Sequence, residues 1–118
     1  MILFLVPEMP PANRTAGPES STSIKVQWDV VPEGFRRGII TKYHVMYKDD
    51  TIEPPDWKET SITAPTQEVV LSDLKFFTSY SFKIAAETVK GRGNHSIEFS
   101  AKTLEDGKTF IAIRLKNL

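Results

Sequence analysis

Residues 22–30, TSIKVQWDV, alternate between apolar and polar side chains, and this two-residue period constrains the fold more than any other feature of the chain. Ile24, Val26, Trp28 and Val30 fall on one face, while Ser23, Lys25, Gln27 and Asp29 fall on the other. A helix would scatter these side chains around its circumference, whereas a half-buried strand sorts them. The period recurs at residues 39–48, where Tyr43, Val45 and Tyr47 oppose Lys42, His44 and Lys48. Residues 79–88 gather Tyr80, Phe82, Ile84 and Ala86, and residues 96–103 gather Ile97, Phe99 and Ala101. Val69 and Leu71 mark one more short strand, and Asp49–Asp56 forms a turn leading into a short segment with Trp57.

Turn residues separate these runs. Pro32, Gly34 and Gly38 break the chain after the first strand, Ser72 and Asp73 end another, and Gly91 and Gly93 supply a turn able to adopt positive φ. Pro7, Pro10, Pro11 and Pro18 exclude a helix near the start and predict a linker running into an edge strand. Val, Ile and Thr number 29 against 17 Ala, Leu and Met, a bias toward residues that pack well on a pleated sheet. About six or seven short strands within 118 residues predict a single all-β domain, a two-sheet sandwich.

Fifteen basic and fifteen acidic residues cancel, which argues against nucleic acid or an anionic membrane surface as the main partner. No apolar run approaches the roughly 20 residues of a membrane span, so no membrane insertion of this segment is expected. Cysteine is absent, removing disulfides, a thiol nucleophile and Cys-based metal sites. The sequons Asn13–Thr15 and Asn94–Ser96 make Asn13 and Asn94 candidate N-glycosylation sites and lean toward the secretory route.

The spacing of aromatics resembles the fibronectin type III domain. Trp28 follows Ile24 and Val26, Tyr43-x-Val45-x-Tyr47 comes next, and Leu74-x-Phe76-x-Thr78-x-Tyr80 is similar to the family's Leu-x-Pro-x-Thr-x-Tyr segment. Phe82, Ile84 and Ala86 continue the pattern, which closes after the Gly91–Gly93 turn with a strand ending at Thr103. Phe76 stands where the family has proline, which should loosen the turn slightly. The resemblance covers residues 7–106 and implies a seven-stranded immunoglobulin-like β-sandwich. Trp28 is then expected to span the two sheets, in a core with Tyr43, Val45, Leu74, Tyr80, Phe82 and Ile84. Tyr80 is expected to form a tyrosine corner, its hydroxyl bonding back to the backbone near Leu74.

No catalytic, metal or cofactor site is expected. His44 falls on the polar face of a strand and His95 in a loop, which the resemblance places well apart, each as a solvated side chain. Asp49, Asp50, Glu53 and Asp56 lack the spacing of a calcium loop. Gly93 is followed by Asn94, so the Arg-Gly-Asp adhesion tripeptide is absent, and residues 93–100 contain no Trp-Ser box.

In a sandwich of this type the loops at 30–39 and 89–96 share one pole and carry Arg36, Arg37, Lys90 and Arg92, a candidate interaction surface. The opposite pole carries Asp49, Asp50, Glu53, Asp56 and Asp73, joined by Glu105 and Asp106. The expected partner is a protein or a neighbouring domain, with a sulfated glycan as a further option. Residues 1–6 form an apolar stub, and 107–118 a tail whose TFIAIRLKNL stretch reads as an extra strand able to add to a sheet edge, giving a monomer or a weak edge-strand dimer. The resemblance implies a non-catalytic spacer and interaction module of an extracellular receptor or cell-adhesion protein. Its alternatives are a module of a receptor tyrosine phosphatase or kinase, and an intracellular muscle-type scaffold.

Overall fold

The computed structural model describes residues 5–105; the tail at 107–118, with its expected extra strand, and most of the 1–6 stub lie outside the described residues. Eight strand segments follow in order: β1 Ala12–Pro18, β2 Ile24–Asp29, β3 Lys42–Asp49, β4 Lys58–Thr63, β5 Glu68–Leu71, β6 Ser79–Thr88, β7 Gly91–Arg92 and β8 Phe99–Lys102. They form two antiparallel sheets. One has the order β1-β2-β5; the other runs β4-β3-β6, with β7 and β8 both pairing with β6.

Eight segments and seven expected strands agree once the edge of β6 is considered. One edge is taken by β3 along Tyr80–Glu87, so β7 and β8 share the other, near opposite ends of β6. They are two halves of one strand position, separated where residues 93–98 leave the ladder. Ser96 bridges that gap, its amide donating to the Ile84 carbonyl at 2.8 Å while its Oγ accepts from the Ile84 amide at 3.0 Å. Ser96 thus satisfies both backbone groups of Ile84, one with its amide and one with its side chain.

The register shows why alternation succeeds as a guide. Tyr43, Val45 and Tyr47 pair with Ala86, Ile84 and Phe82, so the inward residues of β3 and β6 face one another across the ladder. Ile24, Val26 and Trp28 oppose them from the other sheet, and Leu71 and Leu74 close the lower end. Trp28 is 3% exposed and its ring lies 5.3 Å from that of Tyr43, tilted by 58°. Because these two side chains belong to different sheets, this contact spans the sandwich. Burial of an indole and a phenol in one place outweighs the cost of the Trp28 N–H, which finds no acceptor among the described residues. The Tyr80 hydroxyl accepts the Lys75 amide at 2.8 Å, one residue beyond Leu74, closing the tyrosine corner.

Three details differ from the alternation. Val30 points outward, 42% exposed, and Val31 is buried in its place, because β2 ends at Asp29 and the period loses its phase there. Ile97 is 78% exposed, since it lies in the gap between β7 and β8 rather than in the final strand. β4 has the weakest sequence signal, with Ile62 its only large apolar residue, yet it pairs with β3 over Lys42–Tyr47.

Trp28→Ala is expected to cost about 3–5 kcal/mol in urea denaturation, since the void opens between two sheets that cannot collapse independently. Tyr80→Phe should cost about 1–3 kcal/mol by the same measurement, because it strands the Lys75 amide while keeping the ring.

Candidate interaction site

The upper pole is built around residues that precede β1. The Leu5 amide donates to the Arg37 carbonyl at 3.0 Å, the Glu8 amide to the Phe35 carbonyl at 2.8 Å, and the Thr88 hydroxyl to the Leu5 carbonyl at 2.8 Å. Asn94 Nδ2 donates to the Glu8 carbonyl at 3.1 Å, and the Arg37 guanidinium pairs with the Glu8 carboxylate. Pro7 is fully buried in this strap, and a Cβ on Gly93 would meet the Pro7 carbonyl oxygen at 2.4 Å, so only glycine fits there. The hydrogen-bonded frame therefore includes Leu5.

The four basic residues predicted for this pole do not stay together. Arg36 donates from Nε to the Val31 carbonyl at 2.8 Å, Arg37 is paired, and Lys90 is exposed on the turn between β6 and β7. Arg92 is instead turned onto the outer face of the larger sheet, where its two terminal nitrogens reach the Glu59 carboxylate at 2.6 and 3.0 Å. Glu59 is on β4 and Arg92 on β7, so the pair reaches across β3 and β6. Ala85 lies on the outward side of β6 between them and is fully buried; its small side chain leaves room for the crossing.

His44 is part of this lattice, and the expectation of a solvated imidazole fails. The residue is 5% exposed, Nδ1 lies 3.0 Å from Ser61 Oγ, and Nε2 lies 2.8 Å from Glu87 Oε1. The cause is register: Ser61 and Ala85 flank His44 on the neighbouring strands, and Glu87 is the next outward residue of β6. Partial burial, then the nearby Lys83 and Arg92 cations, lowers the His95 pKa. The Arg92 guanidinium holds the Glu59 carboxyl below its ordinary value, by hydrogen bond first and by charge second. Further along the face, Trp57 lies under two ammonium groups, Lys83 at 4.2 Å and Lys48 at 5.3 Å from its ring centre.

At the lower pole Asp49 is buried and accepts from the Thr51 amide at 2.8 Å, the Thr51 hydroxyl at 2.6 Å and Lys75 Nζ at 2.8 Å. Burial alone would raise its pKa; the Lys75 and Thr51 bonds outweigh it and bring the value from an ordinary 3.8 to about 2. Among the described residues no acidic or histidine group has the arrangement of a metal site. Thr103 secures the neighbouring turn, donating to the Lys75 carbonyl at 2.7 Å and accepting from the Thr78 amide at 2.9 Å. Phe76 and Phe77 stand on that turn, both more than half exposed, and Phe77 is held at φ 49° by its amide's 2.8 Å bond to the Leu104 carbonyl. A bulky residue in the left-handed region is strained, and here the strain displays an aromatic ring to solvent.

Of the sequon asparagines, Asn13 is exposed at φ 46° in a register shift of β1, bonded to Asp29 at 2.8 Å, and Asn94 is exposed beside Glu8.

Two antiparallel sheets closed by an inter-sheet tryptophan and a tyrosine corner define a β-sandwich of the immunoglobulin-like class. The chain belongs to the fibronectin type III domain family, whose pattern matches residues 9–102. It is 32% identical over 110 residues to protein sidekick-1 of Gallus gallus, which covers 93% of this chain and 5% of that protein. It is 40% identical over 94 residues to phosphatidylinositol phosphatase PTPRQ of Rattus norvegicus, 80% of this chain and 4% of that one. Cell adhesion molecule DSCAML1 of Homo sapiens is 31% identical over 105 residues, 85% of this chain and 5% of its own length. Among solved structures, the third fibronectin III domain of human KIAA0343 protein superposes with a TM-score of 0.79 over 87% of both chains at 23% identity. The FN5 domain of Drosophila Lar does so at 0.67 and 29% identity, over 84% of this chain and 98% of that one. The chain thus corresponds to a single module, a small part of each long relative.

Asp49 is stabilising as a carboxylate, so its contribution is complete above about pH 4 and is lost as pH falls through about 2. Asp49→Asn should flatten the acid limb of a stability-versus-pH curve in that window and leave its shape at pH 6–8 unchanged. A double-mutant cycle of Glu59→Gln with Arg92→Met should return a coupling of about 0.5–1 kcal/mol, falling as salt is added.

Proposed function

We propose that this chain is a non-catalytic spacer and interaction module of a cell-surface adhesion protein or receptor, exposed outside the cell. The observation that carries the proposal is a match over 85% of the chain to a relative named as a cell adhesion molecule, at 31% identity. Its mechanism is mechanical and steric. A core closed from both sheets holds the two poles at fixed separation, and recognition falls to the side chains displayed at those poles.

The arrangement of Ser61, His44 and Glu87 has the order of a hydrolytic relay but not its setting. A working relay needs an open imidazole and donors aimed at a developing oxyanion. Here the imidazole is buried on a sheet face crossed by the Arg92–Glu59 pair. The cluster serves the sheet, tying β3 to β4 and β6. The 40% identity to PTPRQ supports a second reading, that the parent protein is a receptor phosphatase whose chemistry resides in other parts of its chain.

Secretion from mammalian cells behind a heterologous signal peptide tests the extracellular assignment. Well-folded protein with a glycan removable by peptide N-glycosidase, lost in Asn13→Gln or Asn94→Gln, is the expected result. Retention as misfolded, unmodified protein would count against it. Hydrolysis of an activated aryl ester that Ser61→Ala abolishes would overturn the non-catalytic half.

A further inference from the structure

The two poles expose apolar side chains that a free sandwich has no reason to keep in water. β3 starts at Lys42 opposite Glu87, so Ile39 and Val89 both project beyond the upper end of that ladder, 79% and 78% exposed. The strap adds Leu5 and Val6 to the same end: Leu5 is bonded to Arg37 and Thr88, and a Cβ on Gly91 would touch Val6. Phe35 is exposed there too, its carbonyl taken by Glu8. Single exposed hydrophobes are ordinary; a group gathered from the strap, a loop and a hairpin turn marks a docking surface. At the lower pole Phe76 and Phe77 do the same, with Phe77 held out in a strained conformation by Leu104.

Charge distinguishes the two ends once the internal ion pairs are set aside. Arg36, Lys42 and Lys90 have no carboxylate partner among the described residues, against Asp29 and Glu33 at the upper pole. Asp50, Glu53, Asp56 and Asp73 have no cationic partner among the described residues at the lower pole, against Lys58 and Lys102, and Lys102 lies 3.7 Å above the Phe77 ring. One end is apolar with a basic remainder; the other is aromatic with an acidic remainder.

We infer that the upper pole is a docking surface for the lower pole of a second copy of this module, seating Phe76 and Phe77 against Ile39, Val89, Leu5 and Val6. This rests on the reading of the chain as an interaction module and names its partner. The contact is heterologous, one patch meeting a different patch, so it joins modules head to tail and leaves a free pole at each end. The apolar centre supplies affinity, and the unpaired charges set polarity, opposing head-to-head contacts by like-charge repulsion.

The test uses the full unglycosylated chain and two surface variants, Ile39→Asp/Val89→Asp at the upper pole and Phe76→Ser/Phe77→Asn at the lower. Asparagine tolerates the positive φ at position 77. Amide NMR shifts are followed on dilution from roughly millimolar to tens of micromolar, the range where a weak association reads out. Wild type should show concentration-dependent shifts at both poles, weakening with salt; each variant alone should show none. Mixing the two variants should restore a one-to-one complex, with shifts confined to the intact upper pole of one and the intact lower pole of the other. Absence of concentration dependence in wild type, or failure of the mixture to associate, overturns the inference. So does binding of phosphatidylserine vesicles that Ile39→Asp/Val89→Asp removes while wild type stays monomeric, which assigns the upper pole to a membrane. A missing glycan in the secretion experiment would remove the extracellular assignment and leave this readout unchanged.

Discussion

The contact between Trp28 and Tyr43 is the point on which the rest of the structure depends. One ring comes from β2 and the other from β3, and they meet 5.3 Å apart across the space between the sheets. A chain with no cysteine has no covalent tie between its sheets, so that tie is made by aromatic volume. Everything outward follows. β3 and β6 are held with their inward residues against this core, and both poles are the two ends of that single ladder.

Around this core the surface separates into regions of different character. The outer face of the larger sheet is bonded internally: Arg92 pairs with Glu59, His44 bonds Glu87, and two lysines lie over Trp57. Such a lattice contributes modest stability, yet it covers Ala85 and Met46 and leaves little unsatisfied charge for a partner to use. The poles are the reverse. Their backbones are tightly held, by the Leu5–Glu8 strap above and by Thr103 and Tyr80 below, while their side chains remain exposed. Rigid backbone under exposed side chains lowers the ordering cost of binding, which suits recognition.

Much of this was legible before folding. Alternation located β2, β3, β6 and the inward sets Ile24, Val26, Trp28 and Tyr43, Val45, Tyr47, because period 2 is a local property of the strand. The aromatic spacing led to Tyr80 and its backbone partner one residue beyond Leu74. The errors arose where local pattern and tertiary position part company. Val31 replaced Val30 where β2 ended one residue early for the period, and Ile97 fell into a gap in the last strand. His44 looked solvated because its neighbours in sequence are Tyr43 and Val45; the residues that bury it, Ser61 and Glu87, lie 17 and 43 positions away.

The candidate site divides in the same way. That Arg36, Arg37, Lys90 and Arg92 lie in neighbouring loops follows from strand order, but the direction of each side chain does not, and Arg92 was claimed by Glu59 on another strand. Nor does local sequence mark Leu5 as a partner of Thr88 and Arg37, which lie far along the chain. By itself the sequence determined the all-β class, the family and most of the core, since these depend on periodicity and on a few large side chains at set intervals. Only the tertiary structure decided which charges are spent inside the sheet and which hydrophobes stay in water at the poles. Pairing and exposure are properties of distances between residues far apart in the chain, and no local pattern encodes them.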